Sequence, residues 1–325
     1  ALPARLNVLH VNLEELPSAF AYLPDIFTGA YNVACPYTEV TPPHPAQRLG
    51  LTLIDEIWSA SSFMTEVLGP HRATHTVGTA VRGFHPHGKV AARVRSLGDR
   101  VGPGDFVFLT AGDALSGVHR KNPLGVIRAF LEAFPHDPTT RLIVKVHSTE
   151  KLEAASPDHH VWRKIENIAK ECDRVHLIRD LLTDDEQGAL IEGADCLVSL
   201  HRAEGFGYHM AEAMRLGTPV VATAYSGNTD FCTEATAYLV PYRLIPIERD
   251  QYPRATAAQI WADPDFAGAV AALRSVRRDS VLRDRKIAAA RELIDRAFSL
   301  DAYAARLAAR IEAISRARAG YATSW

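Results

Sequence analysis

The chain has 325 residues, 47% of them apolar, enough to bury one large core or two ordinary ones. Basic and acidic residues nearly balance, 36 against 38, and the basic ones are scattered, with many near the C-terminal end, so the sequence carries no electrostatic footprint for nucleic acid. The four cysteines, Cys35, Cys172, Cys196 and Cys232, lie far apart without Cys-x-x-Cys spacing and read as reduced, buried thiols, not as metal ligands or a disulfide frame. No apolar run reaches membrane-spanning length, and the first residues lack the basic and apolar regions of a signal peptide. The expectation is a soluble, cytoplasmic protein that meets a membrane, if at all, at its inner face.

In the N-terminal part, residues 5–11 alternate as a strand and residues 16–27 form a proline-punctuated loop or short helix before a second strand at 30–35. Pro36, Pro42, Pro43 and Pro45 then forbid regular structure and suggest a loop over an active-site face. A helix is predicted at 46–53, a strand at 56–60 and a helix at 61–68 with Ser61 as N-cap. His85 and His87 have the spacing of a metal pair on a strand. Pro86 between them and the missing third ligand place them instead in a linker, 83–104, that ends at Gly102-Pro103-Gly104.

A strand at 105–110 opens the second half. After a loop come His119, Arg120 and Lys121, with Asn122 as N-cap and Pro123 at the first helical position. Leu124, Ile127, Phe130, Leu131 and Phe134 repeat at helical spacing and predict a helix packed on a sheet. Cations at a helix N-terminus oppose its dipole unless an anion lies between them, so Arg120 and Lys121 are expected to hold a phosphate. Strands at 141–146 and 174–178 flank a helix at 161–171, an alternation that indicates a parallel, doubly wound sheet. Ligands of such sheets sit beyond the carboxyl ends of the strands, where Arg120, Lys121, Arg179, Glu204 and Ser226 all fall.

Residues 195–200 read as a buried parallel strand entered from a polar turn at Glu192-Gly193. Gly205 and Gly207 bracket Phe206, so the backbone can turn sharply and approach a ligand closely. A helix starts at about Tyr208, and its free amides and positive dipole end make an anion site. Glu212, more than one turn in, is poorly placed for phosphate but can accept hydrogen bonds from neutral hydroxyls, of which a ribose offers two. Gly217 ends the helix, Pro219 opens a strand at 220–223, and Ser226-Gly227-Asn228-Thr229 forms a second glycine turn facing the same cleft. The last strand is predicted at 237–242. From Phe266 to about Arg318 the chain is rich in alanine and arginine with helical periodicity.

The run Ser199-Leu200-His201-Arg202-Ala203-Glu204-Gly205-Phe206-Gly207, with Ala211-Glu212-Ala213-Met214, Gly217-Thr218-Pro219-Val220-Val221-Ala222 and Tyr225-Ser226-Gly227-Asn228-Thr229-Asp230-Phe231, resembles the retaining glycosyltransferases of family 4, group 1, which have the GT-B fold. The resemblance implies an α/β protein of GT-B type. Its parts would be one complete Rossmann-like, doubly wound donor domain at 105–265, a partial or reduced acceptor-side α/β domain at 1–82, and C-terminal helices at 266–325 that pack back across both.

The donor implied is a nucleotide diphosphate sugar. Lys121 would bind its diphosphate, with Arg120 compensating for an arginine that relatives carry several residues upstream, where this chain offers Asp113 and Ser116. Glu204 would approach hydroxyls of the donor hexose and Glu212 would hold the ribose. The loop at Arg179 would contact the base. Ser116, Gly205, Phe206, Gly207, Tyr208, Ser226, Gly227 and Asn228 complete the implied donor site. His201 would contribute to catalysis or support the loop. Glu39 closes a stretch, 31–39, that is richer in tryptophan in relatives, and reads as an acceptor-face residue or as a plain loop glutamate.

The implied reaction moves a hexosyl group to a hydroxyl of a glycan or lipid-linked glycan in polysaccharide biosynthesis, with retention and without metal or cofactor. Front-face attack with the leaving phosphate taking the proton and a covalent intermediate both remain open, although no nucleophile is evident. A complete acceptor domain needs roughly 150 residues or more, so residues 1–82 read as a fragment, or as a reduced domain that a second copy or a partner chain completes. Rival readings are a nucleotide-sugar-binding module without transferase activity, and an epimerase or phosphorylase of the same fold; no pyridoxal-binding lysine context is present for the last.

Overall fold

The computed structural model describes residues 6–83, 101–102, 104–113, 116–147 and 158–322. His85, His87 and most of the predicted linker lie outside the described residues. The N-terminal strands β1 (Leu6–Leu9), β2 (Tyr31–Ala34), β3 (Glu56–Ser59) and β4 (Thr74–Thr76) form a parallel sheet in that order. The proline-punctuated segment resolves into two short helices, α1 (Leu16–Tyr22) and α2 (Pro24–Phe27), each with its proline in the first turn, where a missing N–H leaves no bond unmade. Helices α3 (Gln47–Thr52) and α4 (Ser62–Leu68) follow, and Ser61 caps α4 by accepting from the Met64 amide at 3.3 Å. Leu13, Leu16, Phe27, Ile57 and Leu68 make a core of their own beneath this sheet.

The second sheet has six parallel strands, β5 (Phe106–Asp113), β6 (Thr140–His147), β7 (Val175–Ile178), β8 (Cys196–Ser199), β9 (Val220–Thr223) and β10 (Tyr238–Val240), ordered β10-β9-β8-β5-β6-β7. The chain enters at β5, winds outward to β7, and returns to start again at β8, so its direction of winding reverses between β5 and β8. Successive strand residues face opposite cores: Phe108 and Leu142 pack with Phe130 and Trp162, whereas Leu109 and Ile143 pack with Phe206 and Met210. The helices are α5 (Val118–Lys121), α6 (Pro123–Ala133), α7 (His159–Glu171), α8 (Asp184–Glu192) and α9 (Tyr208–Leu216).

Two elements differ from the sequence-based expectation. The predicted turn before β8 is the end of helix α8, which carries a capping box: Glu186 donates its amide to Thr183 Oγ1 at 3.3 Å and accepts from the Thr183 amide at 2.8 Å. The predicted strand at 237–242 stops at β10 because Pro241 has no N–H for the ladder. The chain then pairs β11 (Tyr242–Pro246) with β12 (Ile260–Pro264) as an antiparallel ribbon. The helical C-terminal run is three helices, α10 (Phe266–Arg278), α11 (Ser280–Ala297) and α12 (Leu300–Ala322), the break before α11 made by Asp279, which accepts from the Leu282 amide at 2.9 Å.

Helix α12 lies on the N-terminal sheet, with Leu307, Ile311 and Ile314 against Val33, Trp58 and Val77. Arg310 from α12 binds Glu56, which is 1% exposed and also accepts from Trp58 Nε1 at 2.5 Å and Tyr31 OH at 3.0 Å. Burial alone would raise the Glu56 pKa; these donors reverse that and hold it below the usual carboxylate value. Among the described residues no helix is long and apolar enough to cross a membrane.

Candidate active site

The site is built where β5 and β8 part. After β8 the chain enters the Gly205–Gly207 loop, and Gly207, at φ 98°, is the N-cap of α9. The second glycine turn braces this loop from behind. A Cβ on Gly227 would stand 2.1 Å from the Gly205 carbonyl oxygen, so only glycine lets the two turns touch. The Gly227 amide donates to the Glu204 carbonyl at 2.9 Å, and the Glu204 amide donates to Ser226 Oγ at 2.8 Å.

His201 is 0% exposed. Asn228 Nδ2 donates to the Thr223 carbonyl, which turns Asn228 Oδ1 toward His201 Nε2 at 3.0 Å; Nε2 therefore carries the proton and Nδ1 accepts from Ser199 Oγ at 3.0 Å. Burial lowers the His201 pKa and keeps the ring neutral. His201 and Asn228 thus brace the loop from inside.

The braced loop presents Glu204, which is 7% exposed. Its carboxylate accepts from Lys121 Nζ and stands 3.3 Å from Arg120 Nη1. Burial by itself would raise the Glu204 pKa, but Lys121 and Arg120 bring it down to about 2, so Glu204 stays ionised. Arg120, 4% exposed, donates to the Ala203 carbonyl at 2.9 Å and to the Ser116 carbonyl at 3.0 Å, and stands 3.6 Å from Glu39.

The sequence placed these cations at a helix N-terminus. They do directly precede the Asn122 N-cap of α6, and they also form the last turn of α5, where the negative dipole end favours them; Asn122, left-handed at φ 54°, separates the two helices while capping α6 through the Gly125 amide at 3.1 Å. The anion between Arg120 and Lys121 in this structure is the Glu204 carboxylate.

A cavity of about 380 Å³ opens above Lys121, Glu204, Gly207 and Tyr208. His209, which the sequence analysis did not single out, also lines it; its signal was its place in the first turn of the helix after the glycine loop. Burial and the nearby Lys121 push its pKa down to about 4, and it is hydrogen-bonded to the Ala111 backbone. Tyr208 OH shares hydrogen bonds with Tyr37 OH at 2.7 Å and Thr79 Oγ1 at 2.9 Å, joining α9 to the N-terminal part. The Phe206 ring is buried against Phe231 and Phe298, with centroids 5.1 and 5.6 Å away, while the residue also lines the cavity.

Glu212 is half-buried one turn further along α9. Burial raises its pKa to about 7, with Arg82 opposing and Asp184 adding to the shift, and among the described residues its carboxylate has no hydrogen-bond partner. Arg179 directly follows β7 at the same end of the sheet.

A larger cavity, about 680 Å³, lies between the N-terminal part and the β11–β12 connection, and shares Tyr37 and Glu39 with the first. Glu39 accepts from Tyr252 OH at 2.8 Å. Ser116, expected among the donor contacts, lines this larger cavity, because its carbonyl is tied to Arg120 on the side facing Glu39. Among the described residues no group of three or more His, Cys, Asp or Glu side chains is placed to hold a metal ion. The arrangement can bind an anion against two cations, offer one ionised and one unpartnered carboxylate to hydroxyl groups, and admit a second molecule from the far side of Arg120.

Residues 126–255 match the family model described as Glycosyl transferases group 1. No curated protein matches the chain by sequence. Among solved structures, the sucrose-phosphate synthase of Thermosynechococcus elongatus superposes with a TM-score of 0.69 at 18% identity, over 95% of this chain and 74% of that one. HepE of Anabaena, solved with UDP and glucose, gives 0.68 at 13% identity, over 95% and 78%. The pneumococcal O-GlcNAc transferase GtfA, solved with UDP and GlcNAc, gives 0.64 at 13% identity; this chain covers 57% of its length and the match 96% of this chain.

Proposed function

We propose that this chain, a GT-B protein whose residues 126–255 are of the group 1 glycosyltransferase type, is a retaining, metal-independent hexosyltransferase that carries sugar from a nucleotide diphosphate donor to a glycan hydroxyl. The observation that carries this reading is Glu204, ionised between Lys121 and Arg120 where two cavities meet. A donor diphosphate entering the smaller cavity would draw on the same two cations and on the α9 amides. These groups offset the charge that develops on the leaving diphosphate, the task a divalent ion performs in other transferases. Glu204 then turns to the hexose hydroxyls. Glu212, without a partner, accepts from the two ribose hydroxyls.

The Gly205, Gly207 and Gly227 turns let the donor approach the backbone, Ser226 fixes the Glu204 amide, and Arg179 lies toward the base. On the acceptor side Glu39 receives the incoming molecule. As the acceptor oxygen bonds to the anomeric carbon, the bond from that carbon to the phosphate oxygen breaks, and the hydroxyl proton passes to the departing phosphate. The larger cavity favours a transferase over a module that only binds nucleotide sugar.

Calorimetry of the chain with UDP, GDP, UDP-glucose and GDP-mannose, in chelator, tests the donor site. Saturable binding of one nucleotide supports it, and no binding to any sinks it. The anomeric configuration of the product by NMR tests retention: an inverted product, or activity abolished by chelator and restored by a divalent ion, overturns that part of the reading.

A further inference from the structure

The loop that carries Glu204 is gripped by the N-terminal part of the chain. Ser61, the N-cap of α4 and 0% exposed, donates its hydroxyl proton to the Gly205 carbonyl at 2.6 Å, across 144 positions of sequence. The same oxygen accepts from the Met64 amide at 3.3 Å, so one hydroxyl serves both the cap and the cross-link. Beside it the Ser62 amide donates to Asp230 Oδ2 at 2.9 Å and the Ser62 hydroxyl to Asp230 Oδ1, which ties the same helix end to the second glycine turn, Gly227–Asp230. The fit is close. A Cβ on Gly205 would stand 3.1 Å from the Tyr37 ring and 3.4 Å from both Met64 Sδ and the Thr38 carbonyl oxygen.

Gly205 is the residue that follows Glu204, and without a Cβ its backbone dihedrals are loosely restrained, so the peptide beyond it rotates unless its carbonyl is held. The Glu204 amide is fixed by Ser226 and the Glu204 carbonyl by Gly227, both from the second half of the chain. The next carbonyl is fixed by Ser61, from the first half. Glu204 rests against Lys121 and Arg120, and to reach a hexose it must leave them in a direction that this backbone sets. A misplacement of about 1 Å in such a site can cost about 10²-fold in rate.

Resting on the transferase reading above, we infer that Ser61 is a positioning residue of the donor site: by holding the Gly205 carbonyl it aims Glu204 at the hexose of the donor. The N-terminal part thereby helps to recognise the sugar of the donor, whereas the nucleotide is held by the second half alone.

The test is calorimetry of the full chain with UDP and UDP-glucose, or with GDP and GDP-mannose if that pair binds. The ratio of sugar-nucleotide affinity to nucleotide affinity cancels the nucleotide contacts and reports the hexose contact. Ser61→Ala should lower this ratio at least fivefold while the affinity for the nucleotide alone moves less than twofold. Loss of the α4 cap by itself would lower the melting temperature and leave the ratio, per folded binding site, where it was. Asp230→Ala cuts the neighbouring tie without touching the cap and should lower the ratio at least twofold; it decides the question if Ser61→Ala does not fold. An unchanged ratio, or equal losses for nucleotide and sugar nucleotide, overturns the inference and leaves the donor assignment standing. A parent chain that binds no nucleotide and no nucleotide sugar overturns both.

Discussion

The Arg120 guanidinium stands 3.3 Å from the Glu204 carboxylate, and the two residues are 4% and 7% exposed. Removing one partner of a buried pair leaves a charge that water cannot reach. Arg120→Ala should therefore destabilise the fold by about 3 kcal/mol, with Lys121 limiting the loss by keeping Glu204 paired. Urea unfolding monitored by far-UV circular dichroism checks this, and a change below about 1 kcal/mol would show that water already reaches the pair.

Lys121 and Glu212 should separate in kinetics. Lys121→Ala removes charge from the leaving diphosphate and should lower kcat by about 10²–10³-fold. Glu212→Ala removes hydrogen bonds to the ribose and should weaken UDP-glucose binding by about 1–3 kcal/mol, with a smaller effect on kcat. Steady-state turnover beside calorimetry measures both; equal effects on kcat from the two variants contradict the assignment.

Glu212 also sets a pH dependence. Its folded-state pKa is raised by burial to about 7 from the usual 4.5. Between those values the folded chain holds a proton that the unfolded chain has lost, so stability falls as pH rises through this window, by up to about 3 kcal/mol from this group. Glu212→Gln should remove that slope and be more stable than the parent above pH 7. The ionised carboxylate is the better acceptor of ribose hydroxyls, so UDP-glucose affinity should increase from pH 6 to pH 8 in the parent and stay flat in Glu212→Gln. Thermal melts and calorimetry across that range provide the check, and parallel profiles for the two proteins would refute the raised pKa.

Gly227→Ala places a methyl group 2.1 Å from the Gly205 carbonyl oxygen, a backbone atom that cannot rotate away. The variant should lose about 1–3 kcal/mol or more, as overpacked positions do, and should lose donor affinity as well because the Glu204 loop is displaced. Wild-type stability and affinity would mean that the two turns can separate freely.

Breaking the Arg310–Glu56 pair should loosen α12 from the N-terminal sheet. Arg310→Ala leaves Glu56, 1% exposed, without its cation, at a cost of about 3–5 kcal/mol. Limited proteolysis should then cut α12 earlier than in the parent, and an unchanged digestion pattern would show that the apolar contacts of Ile311 and Ile314 alone hold the helix.

Much of the fold was legible where a local signal existed. Asn122 before Pro123, Ser61 before α4 and Gly217 after α9 mark helix ends through backbone chemistry that neighbours barely alter, and each occupies its predicted place. The Thr183-x-x-Glu186 box was equally local and went unread. The β11–β12 ribbon was not local: its strands lie on either side of a long connection, and β12 also meets the 36–45 loop, where the Ile260 amide donates to the Thr41 carbonyl at 2.8 Å.

The sequence by itself determined the parallel, doubly wound sheet, the two glycine turns and the glutamates that follow from them, because hydrophobic periodicity, capping and the backbone freedom of glycine act within a few residues. Tertiary structure decided which charges meet. Arg120 and Lys121 read as a phosphate clip in sequence, and only the approach of Glu204, 83 residues away, shows that a protein carboxylate occupies the clip. Ser116 faces the larger cavity and Gln47 Oε1 finds no partner among the described residues for the same reason: burial and electrostatic pairing depend on distances through space, which residue order does not encode locally.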